Sequence, residues 1–382
     1  MERAPFAVVL GVGGAAGVSA IRLLGRRGIR VCAVDHRPSA LGFRSRYALS
    51  RRIPDPEEDE PGFGAALRLL GDELGGAVPI FAARDEDLNA LARQRTGLGA
   101  RFLYTFPAWD LLGKIQEKRF QVRRASELGL AVPKTTDDPV DVDRYPVLVK
   151  PSRPAGFRVR FGRQALWCET GPELRRAFDS AREFDPLIQE VIPGGDHTLF
   201  TLGTYMDRSG SPLGIFCGRK LRQTPSGVGT CRIGEALWVD AVVEQGLRLL
   251  KDLAFTGIAQ VEFKYDRRDD TFRFIEINPR LWQWHENAAV CGVDLSWIAY
   301  QDVTGGTIAP ATSRGCRSRW ALTFNDSVVP ALTRPGYVDP FFARDDPRLA
   351  ITHLARVTRA SLTRARARSK GAVFSSPGTE TR

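Results

Sequence analysis

The stretch GIAQVEFKYDRRDDTFRFIEINPR, residues 257–280, carries its charged and amide side chains at a period of two. Gln260, Glu262 and Lys264 alternate with Val261, Phe263 and Tyr265, the pattern of a strand with one polar and one apolar face. On the strand that follows, Glu276 and Asn278 share a face while Ile275 and Ile277 point the other way. A hairpin loop of odd length centred on Asp269 sets Glu262 directly opposite Glu276, with Cβ atoms about 5 Å apart. Two carboxylates that close repel unless a positive charge lies between them. Magnesium takes oxygen ligands and favours one or two carboxylates plus phosphates, and the Asn278 amide oxygen would complete the set. Glu262, Glu276 and Asn278 are therefore the candidate ligands for Mg2+ or Mn2+. A solvated hairpin face would explain one glutamate, whereas three converging oxygen ligands followed by Pro279 and Arg280 favour a metal-phosphate site.

Other residues offer charge to a phosphate. Arginine outnumbers lysine 47 to 8, so a lysine in a suggestive place is less easily there by chance. Lys150 ends the apolar run YPVLVK, where a charge needs a partner. In GRKLRQTPSGVG (218–229), Lys220 and Arg222 are two apart and share a face if the segment is extended, suited to an acyl phosphate or a γ-phosphate. Trp282, Trp284 and His285 in LWQWH either wall a pocket or pack. Asp85 and Glu86 in ARDEDL either hold a substrate amine or serve as acids at a helix start. The opening GVGGAAG, with Asp35 ending the next strand, fits a dinucleotide fingerprint. Tight turn geometry explains the same glycines at least as well.

These residues need a scaffold. AVVLGV, a glycine turn, the amphipathic VSAIRLLGRRG and the strand IRVCAVD form a βαβ unit, and AVPIFAARD and ARFLYTF supply further strands. Residues 1–107 therefore read as a Rossmann-like parallel α/β domain. Beyond Pro107 come a helical stretch ending near Gly129, the strand ending at Lys150, a loop rich in Gly and Arg (153–163), a Thr170-capped helix and the strand LIQEVI. Strands dominate from Thr198 to Asn278, with one helix near 239–253.

EINPR after a VEF strand resembles the metal-binding end of the ATP-grasp superfamily, over roughly residues 108–307. The resemblance implies an α/β chain that is α+β in its later lobes. It comprises a Rossmann-like pre-ATP-grasp domain (1–107), a small lid lobe (108–190), a large lobe with the metal site (191–307) and a C-terminal extension with a basic tail (308–382). It implies that Lys118, at the start of EKRFQVRRASELGL, and Lys150 reach the nucleotide phosphates. The loop 151–163 would cover those phosphates, though it holds only Gly156 and Gly162 beside several arginines, with Arg158 or Arg160 compensating. Gln189, Glu190, Val191 and Ile192 would line the purine site, Asp196 would take the ribose hydroxyls, and Arg280, Lys220 and Arg222 would serve the reacting groups. The implied activity is that of a carboxylate-amine ligase working through an acyl phosphate, D-aspartate ligase-like. It would use ATP and Mg2+ and act on small amino-acid-like carboxylate and amine substrates.

Three other functions compete. An NAD(P)-dependent oxidoreductase would use the glycine turn but leaves Glu262, Glu276 and Asn278 without a role. A Mg-ATP-binding regulator would bind without turnover. A nucleic-acid binder would use the net charge of +11, yet residues 347–382 carry +7 of it and the preceding 346 only +4. That places the excess in a peripheral helix and tail rather than a reading surface. Six cysteines without a CxxC pair and four histidines give neither a disulfide framework nor a zinc signature. A cytoplasmic protein without membrane or nucleic-acid partners is expected, with a homodimer compatible. The apolar run 6–21 falls short of the roughly 20 residues a bilayer span needs.

Overall fold

The computed structural model describes residues 5–152, 156–322 and 336–372, with side chains at 361 and 364–372 outside that description. Three sheets organise it. The first is parallel, in the order β3-β2-β1-β4-β5, from β1 (Phe6–Leu10), β2 (Arg30–Asp35), β3 (Ala48–Arg52), β4 (Val78–Ala82) and β5 (Phe102–Tyr104). It carries α1 (Ala15–Arg26), α2 (Glu60–Glu73) and α3 (Asp85–Leu98). β1 and β4 are wholly apolar, as befits strands covered on both faces. The turn between β1 and α1 explains its glycines. Gly11 takes φ +74°, and a Cβ on Gly17 would stand 2.7 Å from the Gly11 carbonyl oxygen. Asp35 closes the turn by accepting from the Gly13 and Arg37 amides at 2.9 and 3.0 Å. Gly11 and Gly17 are thus explained by the strand-to-helix connection, whereas a Cβ on Gly14 would meet open space.

Two short helices, α4 (Trp109–Ile115) and α5 (Lys118–Glu127), lead to a four-stranded antiparallel sheet in the order β6-β9-β7-β8. Its strands are β6 (Thr135–Thr136), β7 (Val147–Pro151), β8 (Leu166–Cys168) and β9 (Pro186–Glu190), with α6 (Phe157–Phe161) and α7 (Gly171–Ser180). The expected loop after Lys150 thus contains a short helix, anchored by the buried Phe157; its residues 153–155 lie outside the described part. Thr170 caps α7, accepting from the Glu173 amide.

The third sheet runs β14-β13-β10-β11-β12-β16-β17, with β15 alongside β11. Its strands are β10 (Leu199–Met206), β11 (Pro212–Thr224), β12 (Thr230–Ala236), β13 (Gly257–Asp266), β14 (Thr271–Asn278), β15 (Ala311–Thr312), β16 (Arg319–Ala321) and β17 (Tyr337–Val338). Helices α8 (Asp240–Asp252), α9 (Glu286–Val290) and α10 (Leu295–Val303) pack on it. Trp282 and Trp284 are buried in the core that joins this sheet to α1, and His285 Nε2–H donates to Ala16 O at 3.0 Å. They pack rather than wall a pocket. The strands make room: a Cβ on Gly203 would stand 2.1 Å from the Trp282 ring.

Ion pairs tie the first sheet to the rest. Arg22 on α1, fully buried, donates to both Glu286 oxygens at 2.8 Å. Arg26 and Tyr47 hold Asp345, just ahead of the long helix Pro347–Ala372 that carries the basic sequence; of the tail, residues 373–382 are outside the described part. One expectation is corrected. Cys291 and Cys316 form a disulfide across a Cα separation of 5.6 Å, because the turn after α9 and the approach to β16 meet in space. The other four cysteines are buried thiols. Among the described residues no helix is long and apolar enough to cross a membrane.

Candidate functional site

Glu262 and Glu276 do face each other across β13 and β14, but not for the reason the spacing suggested. The loop between Asp266 and Thr271 has an even four residues, so the pairing starts out of phase. A bulge at Ile275 then inserts one residue, pairing Phe263 with Phe274 but Glu262 with Glu276. The same bulge turns Ile275 toward the cleft while Phe274 and Ile277 stay in the core.

That cleft, about 550 Å3, lies between the polar face of β13-β14 and the four-stranded sheet. Of the residues expected to hold metal, nucleotide or reacting groups, Lys118, Lys150, Gln189, Glu190, Val191, Ile192, Lys220, Glu262, Glu276, Asn278 and Arg280 line it, and Asp196 and Arg222 do not. Gln121 sets the approach of α5. Its amide oxygen accepts from Ile277 N at 2.6 Å and its nitrogen donates to Ile115 O at 2.6 Å. The Lys118 amide donates to Ser152 O. Lys118, first in the helix, is thereby held beside β14, and its ammonium donates to Glu276 at 2.8 Å. From the other side Lys220 of β11 donates to Glu262 at 2.8 Å and to Gln223 at 3.2 Å. Each carboxylate therefore has its own lysine, which answers the repulsion. Side-chain exposure is 24% and 29% for Lys118 and Glu276 but 7% and 8% for Lys220 and Glu262, so the second pair is the desolvated one.

Electrostatics follow that difference. Beside Lys118, Glu276 is held well below the ordinary carboxylate range, whereas burial pushes Glu262 up against the pull of Lys220. Burial works against the charge on both lysines, but their glutamates outweigh it and both are raised. Lys150 differs. Its ammonium donates to the Gln189 amide oxygen at 2.7 Å, a neutral partner, and burial together with the nearby Lys118 brings it down to about 8. Asn278 donates to Glu276 at 3.2 Å. Arg280 makes a two-pronged contact with Asp85 of α3, 2.7 Å on each oxygen, which brings the first domain into the cleft wall. Asp85 is thus paired with an arginine in the cleft wall.

Two sequence expectations are corrected. The register between β11 and β12 slips on either side of Arg222, so alternation fails: Lys220 is buried in the cleft and Arg222 is exposed outside it. Asp196 is buried, and its carboxylate accepts from the Gln223 and Gly227 amides at 2.7 and 2.9 Å and from Ser226 at 3.0 Å. It holds the β11-β12 turn and does not line the cleft. In the strand end at 189–192, the Glu190 and Val191 amides already donate to Lys134 O and Pro146 O, and the Glu190 side chain accepts from Arg268 at 3.1 Å. Arg158 lines the cleft, while Arg160 turns away to pair with Glu183.

Glu262, Glu276 and Asn278 supply hard oxygen donors on one face. Among the described residues no group of three or more His, Cys, Asp or Glu forms a ready metal cage. A donor set of this size fits magnesium that completes its shell with substrate phosphates, and does not fit a cage-bound metal. Lys264 was passed over as a site residue although the same alternation announces it. It lines the cleft at 8% exposure, and burial lowers its pKa.

The parallel domain followed by a small antiparallel sheet and a large, mostly antiparallel one around such a cleft is the ATP-grasp fold. Biotin carboxylase from Campylobacter jejuni, solved with β,γ-ATP, superposes with a TM-score of 0.62 at 17% identity, over 79% of this chain and 71% of that one. L-amino acid ligase from Bacillus licheniformis gives 0.60 at 15% identity, over 81% and 78%. Residues 237–308 match the family described as carbamoyl-phosphate synthase L chain, ATP binding domain. In sequence, the chain is 26% identical over 273 residues to D-aspartate ligase of Enterococcus faecium (strain Aus0004). That match takes in 65% of this chain and 65% of the ligase, so it spans somewhat less than two thirds of the relative.

Proposed function

We propose that the protein is an ATP-dependent carboxylate-amine ligase acting on small amino-acid-like substrates. The observation that carries this reading is one cleft lined by four lysines and two arginines around two opposed carboxylates, each of which is met by its own lysine. The likeness to D-aspartate ligase supports it and suggests the substrate class.

In this reading the γ-phosphoryl group of ATP passes to a carboxylate oxygen, ADP leaves, and an acyl phosphate remains. The amine then attacks the acyl carbon, the C–O bond to phosphate breaks, and the amine's proton leaves with inorganic phosphate. Such chemistry asks the protein for positioning and charge neutralisation. Lys118 and Lys150 hold the phosphates, and Lys220 and Arg280 steady the transferred group and the substrate carboxylate. Residues 189–192 with Ile275 wall the base. Glu262, Glu276 and Asn278 would hold magnesium, which when bound neutralises charge on the β- and γ-phosphates. The lysines that occupy the two glutamates in the unliganded cleft would then turn to the phosphates. Use of ATP and Mg2+ also suits a cytoplasmic protein.

The test is ADP release with Mg2+ over a matrix of carboxylates and amines, beginning with D- and L-amino acids. ADP release that needs both partners is the expected result. Tight ATP binding with no ADP released across the matrix would replace the ligase with a Mg-ATP-binding regulator.

A further inference from the structure

Lys264 is a buried cation in the cleft with no counterion of its own. Lys118, Lys220 and Arg280 each have a carboxylate, and Lys150 has the Gln189 amide. Among the described residues no hydrogen bond or ion pair holds the Lys264 ammonium, though it is only 8% exposed. The two acids that act on it through space are Asp196 and Asp266. Both are committed elsewhere, Asp196 to the β11-β12 turn and Asp266 to Arg268 and Arg273 at 2.6 Å each. An ammonium that is mostly withdrawn from bulk water and open only to the cleft, with no carboxylate beside it, would gain from a ligand atom with a lone pair.

Its place on β13 says which part of the ligand. Lys264 shares the cleft face with Glu262 and lies about 7 Å further along the strand. The displacement is toward the β13-β14 loop, where Arg268 meets Glu190 at the base end of the cleft. The stretch between Glu262 and Glu190 is where the sugar of a nucleotide spans from phosphates to base. Its cross-strand neighbours are Leu199 of β10, which offers no polar group, and Arg273 of β14, a like charge committed to Asp266 and Asp269.

We propose that Lys264, and not Asp196, hydrogen-bonds the ribose hydroxyls of the bound nucleotide and sets the preference for ribonucleotide over deoxyribonucleotide. The proposal rests on the ATP reading above. Its test measures Kd for ATP, 2′-deoxy-ATP, 3′-deoxy-ATP and inorganic tripolyphosphate, with Mg2+, by titration calorimetry on the full chain. Wild type is expected to favour ATP over at least one deoxy analogue by about tenfold, the scale of one charge-assisted hydrogen bond. Lys264→Met should bring that ratio to within about twofold while leaving tripolyphosphate affinity unchanged. Lys264→Gln, which keeps a neutral donor, should retain part of the preference, and Asp196→Asn should leave it intact. A melting temperature for Lys264→Met at or above wild type is expected, since an uncompensated charge is removed, and it shows that the variant folds. An unchanged ratio in Lys264→Met, or an equal loss for tripolyphosphate, overturns the ribose assignment while ATP binding by wild type stands. Absence of ATP binding by wild type instead defeats the nucleotide reading itself and the ribose contact with it.

Discussion

Glu276→Gln separates chemistry from folding better than any other change in the cleft. The substitution keeps the side chain's shape and removes the charge that Lys118 meets at 2.8 Å and that is assigned to the metal. Both members of that pair keep about a quarter of their side-chain surface in water. Releasing Lys118 should therefore cost roughly 0–1 kcal/mol of stability, the range for exposed pairs, and move Tm by at most about 3 °C. On the ligase reading the transition state loses more, because the lost charge would organise the transferred phosphate. One preorganised electrostatic contact is worth about 3–4 kcal/mol, or roughly 100- to 1000-fold in turnover. Glu262→Gln would blur the comparison, since it strands the buried Lys220 and should cost about 3–5 kcal/mol of stability as well. The assay is steady-state ADP release on the productive substrate pair, with thermal unfolding of the same preparations. Glu276→Gln turning over within tenfold of wild type, with Tm preserved, would refute the assignment of this carboxylate.

Lys220→Met should lower turnover about a hundredfold and Arg222→Ala less than twofold, measured by the same ADP assay, because the slipped register leaves only Lys220 in the cleft. Lys150 sits at about 8 in the folded protein, below its usual 10.5, so the folded state sheds this proton first. Stability should rise with pH between about 8 and 10.5, whereas ATP affinity should fall as pH climbs through about 8, where the ammonium that meets phosphate is lost. Calorimetric titrations from pH 7 to 9.5 should show that fall, and Lys150→Arg, which stays charged, should flatten it. Cys291→Ser should lower stability by about 3 kcal/mol under oxidising conditions, the chain-entropy scale for a loop of 25 residues, and by little in the presence of reductant. Denaturant titration with and without dithiothreitol reads that difference.

Residues close in sequence on a regular element were legible in advance. The polar face of β13, the Thr170 cap and the parallel first domain all follow from local periodicity and capping chemistry, whereas the break that starts a helix at Lys118, with no side-chain cap, does not. What failed depended on register. The even β13-β14 loop and the bulge at Ile275 compensate for each other, so the expected pairing of Glu262 with Glu276 holds by a different route. Arg222 had no such compensation and left the cleft. A bulge inserts one residue without any composition signal strong enough to announce it, and one residue is enough to reverse a face.

The sequence by itself determined which residue types could meet phosphate and metal, because alternation and strand ends decide which side chains are presented together. It could not decide which of those charges would be free. Only the tertiary structure gave Lys118 to Glu276, Lys220 to Glu262 and Arg280 to Asp85, since those partners come from elements 42 to 195 residues apart. The same folding spent Asp196 on a turn, joined Cys291 to Cys316, and left Lys264 buried without a carboxylate. Counterion choice is a property of distance through space, and distance through space is what folding sets.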